Sequence, residues 1–120
     1  MARILFVDDD PLTLETLKRS VELFAHEAIL ASSGGEAQTL AADQSPDLIM
    51  TDMNLPDMDG LSLVNQLKDN PVIADIPVVV LSASPEVDAR ELSLAAGAQE
   101  FLPKPVRLQD LQEVIDRYTS

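Results

Sequence analysis

The sequence predicts an α/β domain built on a parallel five-stranded sheet. Three observations carry this. Short apolar, β-prone runs alternate five times with stretches whose apolar residues recur at helical spacing. The runs are continuously apolar, as in strands covered on both faces, and are not half-polar. The 120 residues contain no linker, low-complexity segment or internal repeat, so one domain over residues 1–120 is expected.

The elements follow in order. Ile4-Leu5-Phe6-Val7 is the first strand, stopped by Asp8-Asp9-Asp10. Pro11 can open a helix, because its missing N–H costs nothing there, and Asp10 is a suitable N-cap. Leu14, Leu17, Val21 and Phe24 carry that helix to about residue 25. Ala28–Ala31 is a weaker second strand, expected at an edge, and Ser32–Gly35 is read as a turn. Glu36–Ala42 forms a short helix with Ala37, Leu40 and Ala41 inward, ended by Ser45-Pro46. Leu48–Thr51 is the third strand, and Leu61, Val64 and Leu67 mark the third helix, closed by Asn70-Pro71. Ile76–Leu81 is the strongest strand signal. Ser84 or Pro85 opens a fourth helix carrying Val87, Leu92, Leu94 and Ala95, with Gly97 as its C′ residue. Glu100–Leu102 is the last strand, broken by Pro103-Lys104-Pro105. Leu108, Leu111, Ile115 and Tyr118 give a final amphipathic helix to the end. Alternation of this kind implies right-handed crossovers and helices on both faces, a (βα)5 three-layer sandwich. The flavodoxin-like strand order 2-1-3-4-5 is the expected one.

Composition narrows the chemistry. With no cysteine, disulfides and thiolate metal sites are excluded, and the single histidine, His26, excludes a multi-histidine site. His26 also lacks the surroundings of a Ser/His/Asp hydrolase. The net charge of −13 argues against direct binding of nucleic acid or anionic membrane and favours cations and basic partner surfaces. No signal-peptide h-region or membrane-length apolar run is present, so a cytoplasmic location is expected.

Parallel strands end on one edge of their sheet. The residues following strands one, three, four and five must gather there: Asp8 and Asp9, then Asp52, Ser82 and Lys104. In the order 2-1-3-4-5 the crevice between strands one and three is the topological switch point, and it receives the carboxylates. Two like charges about 4 Å apart repel by about 4 kcal/mol at an effective dielectric of about 20. Either the carboxyl pKa values rise or a cation joins them. Oxygen ligands without His or Cys select Mg²⁺, Mn²⁺ or Ca²⁺, and so few carboxylates leave room for water and phosphate, which suits Mg²⁺ best. A carboxylate beside a divalent ion, an ammonium and a hydroxyl suits covalent capture of a phosphoryl group, with Asp52 as nucleophile.

These residues are also where the sequence resembles the receiver domains of two-component response regulators. Ile4–Pro11 is similar to the family's acidic-pair strand. Pro46–Asp52 with Pro56–Gly60 is similar to its phosphoacceptor strand and loop. Ile76–Ala83 is similar to its hydroxyl strand, and Gly97-Ala98 with Phe101–Pro105 to its closing strand and lysine. The resemblance runs the whole chain in register. It implies that Asp52 is phosphorylated by a histidine kinase or a histidine phosphotransfer protein. It implies Mg²⁺ (or Mn²⁺ in its place) held directly by Asp9, through water by Asp8, by Asp52, and by the backbone carbonyl of Asn54. Ser82 and Lys104 would contact the phosphoryl oxygens, Lys104-Pro105 would be cis, and Phe101 would be the switch aromatic alongside Ser82. The surface of the fourth helix, fifth strand and fifth helix, around Leu92, Ala96, Phe101 and Leu111, would pass the signal to an output domain or target protein, or to a second copy in a phosphorylation-dependent homodimer.

Two departures matter. Phe101 has no hydroxyl where many members carry tyrosine, and Ser82 replaces a frequent threonine. Asn54 and Ser84 occupy positions where the family varies phosphoryl lifetime. Three rivals are weighed. An aspartate-nucleophile phosphatase needs an acid–base Asp two residues after the nucleophile, where this chain has Asn54. A receiver-like module that is never phosphorylated would not need Asp8, Asp9, Asp52, Ser82 and Lys104 together. A flavodoxin-type cofactor binder needs a phosphate-cradling loop after strand one, where this chain has three aspartates. The expectation is a switch and not an enzyme with an external substrate.

Overall fold

The apolar runs pair in a single sheet. The structure, a computed structural model, describes residues 1–83 and 88–119. Its elements are β1 (Arg3–Val7), α1 (Pro11–Glu22), β2 (Glu27–Ala31), α2 (Gly34–Gln44), β3 (Leu48–Asp52), α3 (Gly60–Asp69), β4 (Val78–Ser82), α4 (Ala89–Ala96), β5 (Glu100–Pro103) and α5 (Leu108–Thr119). The strand order is β2-β1-β3-β4-β5 and all neighbours are parallel, as the alternating pattern requires.

Side chains alternate across each strand, so each run feeds two cores. Leu5, Val7, Ile49, Val78 and Val80 pack against Ala37 and Ala41 of α2 and Leu63, Val64 and Leu67 of α3. Ile4, Phe6, Leu48, Met50 and Val79 face the opposite side, against Leu14, Leu17 and Val21 of α1 and Leu111, Val114 and Ile115 of α5. Phe6, Ile4, Leu48 and Ile49 are wholly buried. Side chains of this kind contribute about 1.5–3 kcal/mol each by leaving water. The register then levels the strand ends. Val7 pairs with Thr51, so Asp8 follows level with Asp52, and Ser82 pairs with Pro103 next to Lys104.

Several boundaries differ from expectation. α1 stops at Glu22, and Phe24 lies in the closing turn, half-buried. Ser33 is the N-cap of α2, so Gly34 and Gly35 belong to the helix and not to a turn. The helix runs on to Gln44, and Leu40 is only partly buried. In α3 Leu63 takes the core position expected of Leu61. Ile76 and Pro77 precede the paired part of β4. α4 departs most: its buried residues are Ala89 and Ser93, while Leu92 and Leu94 are 48% and 41% exposed and Ala95 is exposed too. The helix packs closely on its neighbours through small side chains, and the leucines are left outside. In α5 Val114 is buried and Leu108 is exposed. Ser84, Pro85 and Val87, expected in the first turn of helix four, and Ser120 lie outside the described residues.

Candidate functional site

β1 delivers Asp8 to the carboxyl edge. Asp8 is 3% exposed: one carboxylate oxygen accepts the Asp10 N–H at 2.9 Å and the other accepts from Lys104 Nζ at 2.6 Å. Asp9 is exposed and Asp10 is taken up as a cap, accepting from the Leu12 N–H at 3.0 Å and the Thr13 hydroxyl at 2.9 Å. The triple aspartate therefore divides: two carboxylates for the site and one for the helix.

β3 delivers Asp52, whose side chain is 15% exposed and lies 3.3 Å from Lys104 Nζ. The backbone here is held on both sides. Thr51, fully buried, donates its hydroxyl to the Asp52 carbonyl at 3.1 Å, and the Met53 N–H bonds the Leu81 carbonyl at 3.1 Å. Ser82 ends β4 and is buried, and its carbonyl accepts the Lys104 N–H at 2.8 Å. Lys104-Pro105 is cis. The ammonium of Lys104 thus bridges Asp8 and Asp52, and a carboxylate oxygen from each of Asp8, Asp9 and Asp52 lies within 4.8 Å of the others. Phe101, three residues before Lys104, is partly buried beside the α2–α3 core.

The charges respond to this crowding. Burial pushes the Asp52 carboxyl above its ordinary range; Lys104 pulls it down and Asp8 pushes it up, and the net direction is upward. Burial draws the Lys104 ammonium down, but the hydrogen bond it donates to Asp8 and the charges of Asp52 and Asp8 outweigh it, and its pKa rises. One ammonium among three carboxylates leaves the cluster net negative. An all-oxygen set of this size, open on the Asp9 side, fits a hard divalent cation that keeps some of its water.

The loop after β3 forms the wall. Asn54 bridges to Asp59, the Leu55 N–H bonds the Met58 carbonyl at 3.2 Å, and Asp59 caps α3 through the Ser62 N–H at 2.7 Å. Gly60 is required by close approach: a Cβ there would sit 2.5 Å from the Asp52 carbonyl oxygen. Sequence reasoning placed Asn54 and the Pro56–Gly60 loop but missed what Asp57 does. Its two carboxylate oxygens accept the N–H groups of Gly34 and Gly35 at 2.8 and 2.9 Å. The Ser33-x-x-Glu36 spacing, a capping pattern, was the signal for a helix starting at Gly34 with free N–H groups to offer. Beside Lys104 lies an apolar groove of about 420 Å³, lined by Leu12, Thr13, Thr16, Leu81, Ala83 and Val106 among others.

A parallel sheet with carboxylates at its switch point and a lysine across them defines a doubly wound α/β domain with its site at the carboxyl edge of the strands. The chain belongs to the response regulator receiver domain family, whose sequence model matches residues 4–116. It is 43% identical over 111 residues to the transcriptional regulatory protein PrrA of Mycobacterium tuberculosis, covering 91% of this chain and 46% of that protein. The chain thus spans about half the length of the curated relatives it matches. Its fold superposes on a putative response regulator from Chloroflexus aurantiacus with a TM-score of 0.93 at 29% identity, covering 98% of this chain and 97% of the other. The receiver domain of the sensor histidine kinase PA1611 of Pseudomonas aeruginosa gives 0.89 at 27% identity, over 98% and 97% of the two chains; its structure has a magnesium ion coordinated in the active site cleft. Among the described residues no helix is long and apolar enough to cross a membrane.

Proposed function

We propose that this receiver domain is a phosphorylation-activated switch with Asp52 as its phosphoacceptor. The observation that carries this is the Lys104 ammonium bridging Asp8 and Asp52 within a cluster of three carboxylates. A carboxylate oxygen of Asp52 attacks the phosphorus of a phosphohistidine on a histidine kinase or phosphotransfer protein. The P–N bond breaks, its electron pair stays on the imidazole nitrogen, and that nitrogen takes up a proton. Lys104 and Ser82 stabilise the charge spread over the transferring oxygens. Asp8, Asp9, Asp52 and the Asn54 carbonyl would hold Mg²⁺ (or Mn²⁺). When bound, the ion supplies positive charge against the phosphoryl oxygens.

The upward shift of the Asp52 carboxyl, caused first by burial, supports the need for such a counter-charge, because the protein groups around it do not fully offset the cost of ionising the nucleophile. No external substrate is turned over: Asn54 stands where a phosphatase would carry its acid–base carboxylate. The domain works in the cytoplasm, without nucleic acid or membrane as a direct ligand.

The output leaves through α4, β5 and α5. Phosphoryl capture draws Ser82 inward, and Phe101 fills the space released. Phe101 edges a hollow of about 150 Å³ with Arg90, Glu100, Leu102, Asp110 and Glu113, and the exposed Leu92 and Leu94 lie on the neighbouring helix. Leu111, expected on that surface, is instead buried at 2% exposure and stays behind as its support. An output domain, a target protein or a second copy of the domain would read the change.

Incubation with acetyl phosphate and Mg²⁺, followed by intact-mass measurement, should show one added phosphoryl group. Asp52→Asn should abolish it, and labelling that persists in the variant would overturn the assignment.

A further inference from the structure

We infer that Asp57 is a positioning residue for the metal side of the site, acting as a clamp between the phosphoacceptor loop and the start of α2. The inference rests on the reading of Asn54 as a metal-holding carbonyl. The loop from Met53 to Gly60 is fixed at its base. Gly60 bonds back to the Met53 carbonyl at 2.6 Å, Asn54 and Asp59 bridge, and Asp59 caps α3. Its tip, Pro56-Asp57-Met58, is closed on itself, among the described residues, only by the Leu55 N–H bond to the Met58 carbonyl at 3.2 Å. What holds the tip is α2. Asp57 takes both amides of Gly34 and Gly35, one on each carboxylate oxygen.

Three further facts fit a clamp. The amides belong to the first turn of α2, where N–H groups have no partner within the helix and favour a negative charge. The bonds hold the Asp57 carboxyl below its ordinary range, the Gly34 N–H first and the Gly35 N–H next. Met58 closes the same joint: a Cβ on Gly34 would lie 2.5 Å from the Met58 sulfur. The glycine therefore leaves room for the loop tip to seat on the helix. The joint links two segments far apart in sequence, and one of them runs from Asp52 directly to the Asn54 carbonyl. Partners bonded directly to a metal ligand typically carry about a 10- to 100-fold effect on affinity; Asp57 acts through the loop backbone, so its effect belongs at the low end.

The test is Mg²⁺ binding to this chain, measured by titration calorimetry without any phosphodonor. Asp57→Ala should weaken Mg²⁺ about 10-fold. Asp57→Asn, which keeps one acceptor oxygen, should lose less. Val114→Ala is the control: it thins the core beneath α5, on the opposite face of the sheet from α2, and touches neither the joint nor the loop. It should lower the melting temperature and leave Mg²⁺ affinity unchanged. If Asp57→Ala binds Mg²⁺ like the wild type, the clamp is refuted and the metal site stands. If the wild type takes up no Mg²⁺, or Asp9→Ala binds as tightly, the metal site falls and the clamp with it.

Discussion

At the scale of single residues, the carboxylate cluster works against stability. Asp52 holds its proton more tightly in the folded chain than at the ordinary value of 3.8, first because it is buried and then because Asp8 is beside it. A carboxyl raised in this way favours folding below its unfolded pKa and loses that contribution as pH rises through its folded pKa. At neutral pH the ionised Asp52 is therefore a net burden. Asp52→Asn should raise the melting temperature at pH 7 in the presence of a chelator, and the gain should shrink as pH falls toward 4. Lys104 loses one partner in that variant but keeps Asp8 at 2.6 Å. Calorimetry at the two pH values checks it; a lower melting temperature at pH 7 would show that the Lys104 pair outweighs burial. Asp10 runs the other way. The Thr13 hydroxyl and the Leu12 N–H hold its carboxyl low, so its contribution is full above 3.8 and fades below it as pH drops.

At the scale of elements, what was legible followed from what each element buries. The three central strands are buried almost throughout, so their apolar continuity located them; β2 and β5, at the edges and only partly buried, followed from the alternation, and Asp8, Asp52, Ser82 and Lys104 from the strand ends. Helices were harder to orient because apolar residues are not the only ones that turn inward. In α4 the close contacts are made by Ala89 and Ser93, whose hydroxyl bonds the Ala89 carbonyl at 2.7 Å and reaches the Met53 sulfur at 3.9 Å. A periodicity count weights Leu92 and Leu94 instead. The start of α2 was hidden because Gly34 and Gly35 look like turn residues until Asp57 is found on their amides.

Helix ends carry a further consequence. α1 and α4 finish with the same pair of bonds. In α4 the Gly97 N–H bonds Leu94 and the Ala98 N–H bonds Ser93; after α1 the Ala25 N–H bonds Glu22 and the His26 N–H bonds Val21. Both ends need a left-handed residue, Gly97 at φ 116 and Ala25 at φ 64. Only one of them is glycine. The left-handed conformation costs an L-residue about 1–2 kcal/mol, and a glycine returns about 0.4–1 of that through its freer unfolded chain. Ala25→Gly should therefore stabilise the domain by about 0.5–1 kcal/mol, read as a higher urea midpoint at unchanged slope. A lower midpoint would mean that the Ala25 methyl packs better than its backbone strain suggests.

At the scale of the whole molecule, the net charge of −13 is spread over 120 residues, but only part of it is structured for a ligand. Most of it makes a solvated acidic surface whose self-repulsion any salt relieves. The cluster of Asp8, Asp9 and Asp52 is different, because its oxygens converge and, among the described residues, only Lys104 pairs with them. These two contributions can be separated by heating the protein in Mg²⁺ and in NaCl of equal ionic strength. A ligand at ten times its dissociation constant stabilises a fold by about 1.4 kcal/mol, roughly 5 °C for a domain of this size. The wild type should gain that much in Mg²⁺ beyond its gain in NaCl. Asp9→Ala removes an exposed carboxylate with no core to disturb, so its fold should survive and its response should fall to the NaCl level. Equal gains in the two salts for the wild type would mean that the acidic edge acts only as diffuse charge, and that the carboxylates at the switch point do not form a metal site.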